Sequence, residues 1–358
     1  MQRRRPHHFR SLMALAVALS VVLGACGGSS SSTGNGRSAD NLSGTLNASG
    51  ATFPLAFYEE SIAAFSEAHP GVTINYGGGG SGKGRQDLAD GVVDWAGTDG
   101  LVKAEDLDKF KGDFLYFPTV AAPITVAYNL DGVSDLRLSP ETIAKIFQRE
   151  VTNWNDAAIA ADNPSAKLPN KPIVVAHRAD SSGTTENFTK FLDAATPAWT
   201  LEAGSTVTWP EGTQAGNGNT GVAQIIQSSA GVIGYVDLSD AKAAKLATAL
   251  IKNKSGAFVA PTLPGASAAL AGSTINDDLT YNPLWADGAD AYPITAPTWI
   301  IAYVQQDSAA KGATLKAFLT FVLTDGQDLA TEVDYARLPN SLQKRALAQI
   351  DQLVVPAS

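Results

Sequence analysis

Three places in the chain gather small hydroxyl and glycine residues just before a segment with helical patterning. Ser49-Gly50-Ala51-Thr52-Phe53-Pro54 is the first, Gly80-Ser81-Gly82-Lys83-Gly84 the second, and Arg178-Ala179-Asp180-Ser181-Ser182-Gly183-Thr184 the third. The start of a helix leaves backbone N–H groups without intrahelical acceptors and carries a partial positive charge, so each cluster could hold an anion. Pro54 suits a first helical turn, because the N–H it lacks would be unpaired there anyway. The third cluster adds Arg178, whose planar fork of donors matches two oxygens of an oxyanion. Taken singly, each cluster is equally a set of ordinary N-caps and turn residues. Their recurrence, once with an arginine two residues before an aspartate, points to a binding site.

The second cluster belongs to a longer run, GGGGSGKG, which from Gly77 matches G-x-x-x-x-G-K of the nucleotide-binding P-loop. The next position, where a Ser or Thr hydroxyl would ligate Mg²⁺, is Gly84, and no Walker-B aspartate strand accompanies the run. No G-x-S-x-G elbow occurs, and the S-x-x-K pairs Ser239/Lys242 and Ser308/Lys311 lack S-D-N and K-T-G partners. Beyond residue 25 only His69 and His177 remain, with no paired His/Cys spacing for a transition metal. The sequence therefore favours a binding protein over an enzyme, with no cofactor and no metal; a secreted phosphatase-type enzyme is the less favoured alternative.

Arg3, Arg4, Arg5 and Arg10 precede an apolar run over 12–22, which ends at Leu23-Gly24-Ala25-Cys26. This is a signal-peptide pattern, too short for a spanning helix. The small residues before Cys26, the chain's only cysteine, resemble the lipobox of bacterial lipoproteins, in which that cysteine becomes the lipidated N-terminus. A lone cysteine leaves no partner for a disulfide, so the folded part must rely on its core. The stretch GGSSSSTGNGRSADNLS that follows lacks apolar periodicity and is expected to be a tether with a reach of roughly 20–25 Å. The whole chain has 26 Lys+Arg against 35 Asp+Glu; without the four N-terminal arginines 22 face 35, a net charge of −13. Such acidity argues against nucleic acid as a partner and requires local donors for any bound anion.

Helical patterning covers 54–68, 87–91, 140–147, 185–194, 221–228, 239–251 and 309–323, and strand-like runs occupy 71–76, 92–96, 124–128, 173–176, 232–235 and 299–304. The alternation predicts an α/β architecture with helices covering largely parallel sheets.

G-A-T-F-P (Gly50 to Pro54), the G-S-G turn (Gly80 to Gly82), D-x-x-x-x-D (Asp94 to Asp99) and R-x-D-x-S-G-T (Arg178 to Thr184) occur in this order. In these motifs the chain resembles the phosphate-binding lipoproteins that feed phosphate ABC importers, the PstS family. Further likeness at Phe117-Pro118-Thr119-Val120, at Ile146 with Asn153-Trp154-Asn155-Asp156, and at Gly231 to Tyr235 extends the resemblance over nearly all of the mature chain. The first and last motifs form a specific pair; the glycine turn alone would be weak.

The resemblance implies that Thr52, Phe53 (through its backbone N–H), Ser81, Arg178, Ser182, Gly183 and Thr184 donate to phosphate. It also implies that Asp99 accepts and that Asp180 orients Arg178 by a salt bridge. A carboxylate beside an anion makes sense only if the ligand keeps a proton, as hydrogen phosphate and dihydrogen phosphate do. Sulfate would set two acceptors against each other, at a penalty of about 1–3 kcal/mol. Another tetrahedral oxyanion is the alternative ligand. Lys83, Gly84, Thr98 and His177 depart from the residues usual in the family; Lys83 would be either a solvated surface lysine or an added attraction.

In fold, the resemblance implies a two-lobed periplasmic-binding-protein type II architecture with a ligand cleft between the lobes. The expected division is a signal peptide over 1–25, the lipidated Cys26 and flexible tether over 26–42, lobe I over 43–121 plus 293–358, and lobe II over 122–292. The chain would cross between lobes near Ala121 and Tyr292. The implied partners are inorganic phosphate, the transmembrane permease subunits of an ABC transporter, and the membrane through the lipid on Cys26. The protein would be a monomer at the outer face of the cytoplasmic membrane.

Overall fold

The computed structural model describes residues 42–357, so the signal-peptide pattern and Cys26 lie outside the described residues. The chain begins β1 (Gly44–Gly50), α1 (Leu55–Ala68), β2 (Val72–Gly78), α2 (Ser81–Ala89), β3 (Trp95–Thr98), β4 (Phe114–Tyr128) and β5 (Arg137–Leu138). It continues α3 (Pro140–Phe147), α4 (Ala157–Asp162), β6 (Val174–Arg178), α5 (Gly183–Ala195), β7 (Gln214–Gly216), α6 (Gly218–Ser228), β8 (Val232–Asp237) and α7 (Leu238–Ala243). Last come β9 (Ala247–Thr248), β10 (Leu250–Lys252), β11 (Phe258–Val259), α8 (Leu263–Ala271), β12 (Thr295–Tyr303), α9 (Ala309–Leu323), α10 (Gly326–Glu332) and α11 (Asn340–Gln349). Among the described residues no helix is long and apolar enough to cross a membrane.

The strands pair in the order β2-β1-β3-β12-β4-β8-β6-β7, with β9 added beside β4. In one half β1 runs parallel to β2 and β3, while β12 is antiparallel to β3 and β4. In the other half β8 is antiparallel to β4 but parallel to β6, which is parallel to β7. The sheets are therefore mixed, not largely parallel as the alternation of elements suggested. The antiparallel pairs of the large sheet all involve β4 or β12, far apart in sequence, whose pairing requires no βαβ unit.

β4 ties the two lobes together. Over 114–123 it bonds β12, and from Ile124 it bonds β8. Pro123, which has no N–H to give a ladder, stands where the partner changes. From Tyr116 to its end every residue of β4 is buried, as befits a strand covered on both faces. Helices α1, α2 and α9 pack on the β1–β3 half, and α5 and α6 on the β6–β8 half.

Each half has an aromatic nucleus. Trp95, fully buried, stacks on Tyr76 at 5.2 Å and meets Tyr58 edge-on at 5.6 Å. In the other half Phe188 of α5 stacks on Tyr235 of β8 at 4.4 Å. Such pairs add about 0.5–1.5 kcal/mol each beyond their buried area. Through Tyr58 and Phe188 they also fix α1 and α5, which follow the first and third polar clusters.

Three local departures from the sequence reading have clear causes. The helix expected over 239–251 stops at Ala243; Lys245 takes a left-handed φ of 54°, and the chain continues as β9 and β10. Ala249 and Leu250 donate to the carbonyls of Val126 and Leu136 at 2.9 and 2.8 Å, so strand pairing overrides the helix propensity of this alanine-rich run. The helix expected over 87–91 starts earlier, at Ser81. The third is β1, which the sequence reading did not single out as a strand and which is central to its half.

The α2 start also explains Gly84. A side-chain carbon there would lie 2.5 Å from Gly50 Cα and 2.8 Å from the Ser49 carbonyl oxygen. Where a P-loop has its Mg²⁺-binding hydroxyl, this chain needs close contact between α2 and β1. Replacing Gly84 with Ser is expected to lower stability by about 1–3 kcal/mol in urea unfolding, without conferring nucleotide binding. An unchanged midpoint would contradict the contact.

Candidate anion site between the lobes

Strand register assembles the clusters before any side chain is considered. Gly50 at the end of β1 is paired with Gly78 of β2 and Gly97 of β3, so the residues after these three strands emerge at one edge. Thr52 and Phe53 follow β1, Ser81 opens α2 after β2, and Asp99 follows β3. Across the cleft Arg178 ends β6 opposite Gly216 at the end of β7, ahead of α5 and α6. The edge where parallel strands end is the usual ligand position in open α/β sheets.

Four hydroxyls at this junction already accept hydrogen bonds from the protein. Ser81 Oγ accepts from the Asp99 N–H at 3.1 Å, and Ser182 Oγ caps α5 by accepting from the Thr185 N–H at 3.1 Å. Thr184 Oγ1 accepts from Arg178 Nη1, and Thr52 Oγ1 from the Asn219 N–H, both at 3.3 Å. With a lone pair engaged in this way, the Thr52, Ser182 and Thr184 hydroxyls each keep their single proton to donate elsewhere, while that of Ser81 is directed at Asp99 Oδ2. Gly183 and Thr184 occupy the first two positions of α5, where N–H groups lack intrahelical acceptors. Phe53 contributes a fully buried ring to the core, and its carbonyl accepts from Tyr335 Oη at 2.6 Å, which fixes the peptides on either side. The result is a wall rich in donors.

Arg178 is buried and tightly held. Its Nε donates to Asp180 Oδ1 at 2.8 Å, its Nη2 to Asp180 Oδ2, and its Nη1 also to Asn219 Oδ1 at 2.9 Å. Burial pushes the Asp180 carboxyl up, but the hydrogen bonds and charge of Arg178 outweigh it and hold the group below its ordinary value. Asp180 Oδ1 also accepts from the Gly218 N–H at 3.1 Å.

Asp99 is only 2 % exposed. Its Oδ1 accepts from Thr298 Oγ1 at 2.7 Å and its Oδ2 from Ser81 Oγ at 3.3 Å. Among the described residues no lysine or arginine forms an ion pair with it. Burial pushes its carboxyl from 3.8 up to about 7, against the Thr298 hydrogen bond and the fields of Arg178 and Arg85, which pull the other way. The two lobes meet directly beside it: a side-chain carbon at Gly183 would lie 2.3 Å from Ser81 Oγ and 2.6 Å from Asp99 Oδ2. The Gly82 N–H donates across to the Ser181 carbonyl at 3.0 Å.

The structure thus gathers Thr52, Phe53, Ser81, Asp99, Arg178, Asp180, Ser182, Gly183 and Thr184 at one junction. Sequence reasoning missed Asn219, which bonds Arg178 and, through Nδ2, Asp237 at 2.8 Å. It also missed Thr298, and Asn187, whose Nδ2 donates to the Asp99 carbonyl at 2.6 Å. Lys83, left open by the sequence, is a surface lysine: its side chain is 59 % exposed and paired with Asp87 at 2.7 Å.

Comparison with known proteins places the chain among relatives. Residues 35–326 match the family model of the PBP superfamily domain. Phosphate-binding protein PstS of Methanocaldococcus jannaschii is 35 % identical over 95 % of this chain and 94 % of its own length. The chain belongs to the PstS family. Phosphate-binding protein PstS 3 of Mycobacterium tuberculosis is 31 % identical over 97 % of this chain and 99 % of its own. Among solved structures, the periplasmic phosphate-binding protein PfluDING, with phosphate bound, superposes with a TM-score of 0.72 at 23 % identity, over 86 % of this chain and 94 % of that one. A human phosphate-binding apolipoprotein gives 0.71 at 21 %, over 85 % and 94 %. Together with the family match, these likenesses show the two-lobed periplasmic-binding-protein fold.

The Asp99 carboxyl is expected to titrate near pH 7 by carbon NMR, and Thr298→Val to move it higher, because the lost hydrogen bond favours the ionised form. Its folded value lies above the unfolded one, so the stability it confers is complete below about pH 4 and is lost as pH rises through about 7. A midpoint near 4 would contradict the burial argument.

Proposed function

We propose that this chain captures inorganic phosphate outside the cytoplasm and delivers it to the transmembrane permease of an ABC transporter. The observation that carries this reading is a wall of committed donors facing one buried carboxylate without a cation of its own. Hydrogen phosphate and dihydrogen phosphate carry both negative oxygens for the donors and a proton for Asp99. In this reading Arg178, the hydroxyls of Thr52, Ser81, Ser182 and Thr184, and the N–H groups of Phe53, Gly183 and Thr184 donate to phosphate. Asp99 accepts the ligand's proton, and Asp180 orients Arg178. The names of the relatives, all binding proteins, support this reading over an enzyme. Another tetrahedral oxyanion remains the alternative ligand.

Lobe I is assigned to 43–121 with 293–358, and lobe II to 122–292. Supporting this division, β4 changes partner beside Pro123, and Ile124 donates to the Ile294 carbonyl at 2.8 Å, which sets the outgoing and returning crossings side by side as a hinge. Ligand contacts drawn from both lobes favour closure, since only the closed state makes all of them. The lipid on Cys26 and the tether after it would keep the protein, as a monomer, at the outer face of the cytoplasmic membrane.

Calorimetry with phosphate, sulfate and arsenate tests the reading. Phosphate is expected to bind at least about 10-fold more tightly than sulfate, with arsenate close to phosphate because it too keeps a proton. Arg178→Ala should weaken phosphate by at least about 100-fold. Equal affinity for sulfate would overturn the role of Asp99, and normal binding by the arginine variant would overturn the site.

A further inference from the structure

Helices α2 and α5 face each other across the cleft just beyond the groups assigned to the ligand. Arg85 of α2 donates from Nη1 to Thr98 Oγ1 at 2.9 Å and to the Gly100 carbonyl at 3.2 Å, so it grips both neighbours of Asp99. Its Nη2 lies 3.9 Å from Oε2 of Glu186 on α5, with the two side chains only 13 % and 8 % exposed. Glu186 rests on the same turn, because a side-chain carbon at Gly100 would lie 2.2 Å from its Oε2. Its other oxygen accepts from Lys190 Nζ at 2.6 Å, one turn along α5. Asn187 adds its hydrogen bond to the Asp99 carbonyl.

We propose that Arg85 and Glu186 are positioning residues: they form an ion pair across the cleft that locks the Asp99 turn in the closed state and slows release of the ligand. The proposal rests on the phosphate reading above. α2 packs on the β1–β3 half and α5 on the β6–β8 half, so opening the cleft separates the pair. Lys190 shares α5 with Glu186 and stays with it in either state, so the carboxylate keeps one partner when the cleft opens. Of the two partners of Glu186, only Arg85 lies across the cleft. At this burial a guanidinium–carboxylate pair is screened much less than a surface one, and losing one member acts mainly on the rate of dissociation.

The test is a double-mutant cycle in the full chain with inorganic phosphate, reading release rates by stopped flow and affinities by calorimetry. Arg85→Gln and Glu186→Gln should each speed release by about 5- to 20-fold and change the association rate by less than about 3-fold. The double variant should release no faster than the faster single variant. In the phosphate-free protein, where the lobes are free to part, the unfolding midpoints of the same variants should shift additively. Arg85→Lys should recover part of the slow release, and Lys83→Gln, which alters a surface pair, should leave it unchanged. Unchanged release rates, or multiplicative effects in the double variant, would overturn the pair. A wild-type chain that fails to bind phosphate would instead overturn the functional reading on which the pair rests.

Discussion

Asp99 is a carboxylate shut away from water, with no lysine or arginine paired to it among the described residues, and it lies among groups that are set to donate hydrogen bonds. Arg178, the nearest large charge assigned to the site, is already claimed by Asp180 and Asn219. Two unlike demands therefore coexist in one small volume. The donors call for negative oxygen, and Asp99 calls for a proton. Leaving either unmet costs roughly 1–3 kcal/mol per buried group. A protonated oxyanion answers both, and an oxyanion without a proton answers only the first. In the proposed function, selectivity would follow from this hydrogen-bond accounting.

The fold serves this accounting by bringing strand ends together. Register places Gly50, Gly78 and Gly97 at one edge, and Arg178 beside Gly216 at the other. Helix starts then supply N–H groups, and aromatic packing of Tyr58 of α1 on Trp95 and of Phe188 of α5 on Tyr235 holds two of those helices against the strands. Tyr235 shows the coupling of core to site: its ring packs on Phe188 while its hydroxyl lies 2.6 Å from Thr185 Oγ1 and accepts from the Arg178 N–H at 3.3 Å. Gly183 lets the second lobe reach Ser81 and Asp99.

What could be read from the sequence was what is local. Arg178, Asp180 and the residues up to Thr184 sit within seven positions, so one strand end and one helix start nearly fix their geometry. Asn219 was within reach: Gly216-Asn217-Gly218-Asn219-Thr220-Gly221 is another small polar cluster ahead of a helix. Thr298 was not, because nothing nearby marks a strand threonine whose partner, Asp99, lies 199 residues away. The same limit explains the misread helix over 239–251. Its alanines and lysines favour a helix locally, and only the distant edges of β4 and β5 draw it into strands. β1, GTLNASG, has too few branched or aromatic residues to announce itself, and its parallel neighbours on both sides make it a strand.

The claim that Asp99 reads the ligand's proton is tested most directly by the ratio of phosphate to sulfate affinity in the wild-type chain and in Asp99→Asn. An asparagine amide can donate to an oxyanion that carries no proton, so the ratio is expected to fall by at least about tenfold in the variant. A ratio that stays the same would contradict the account.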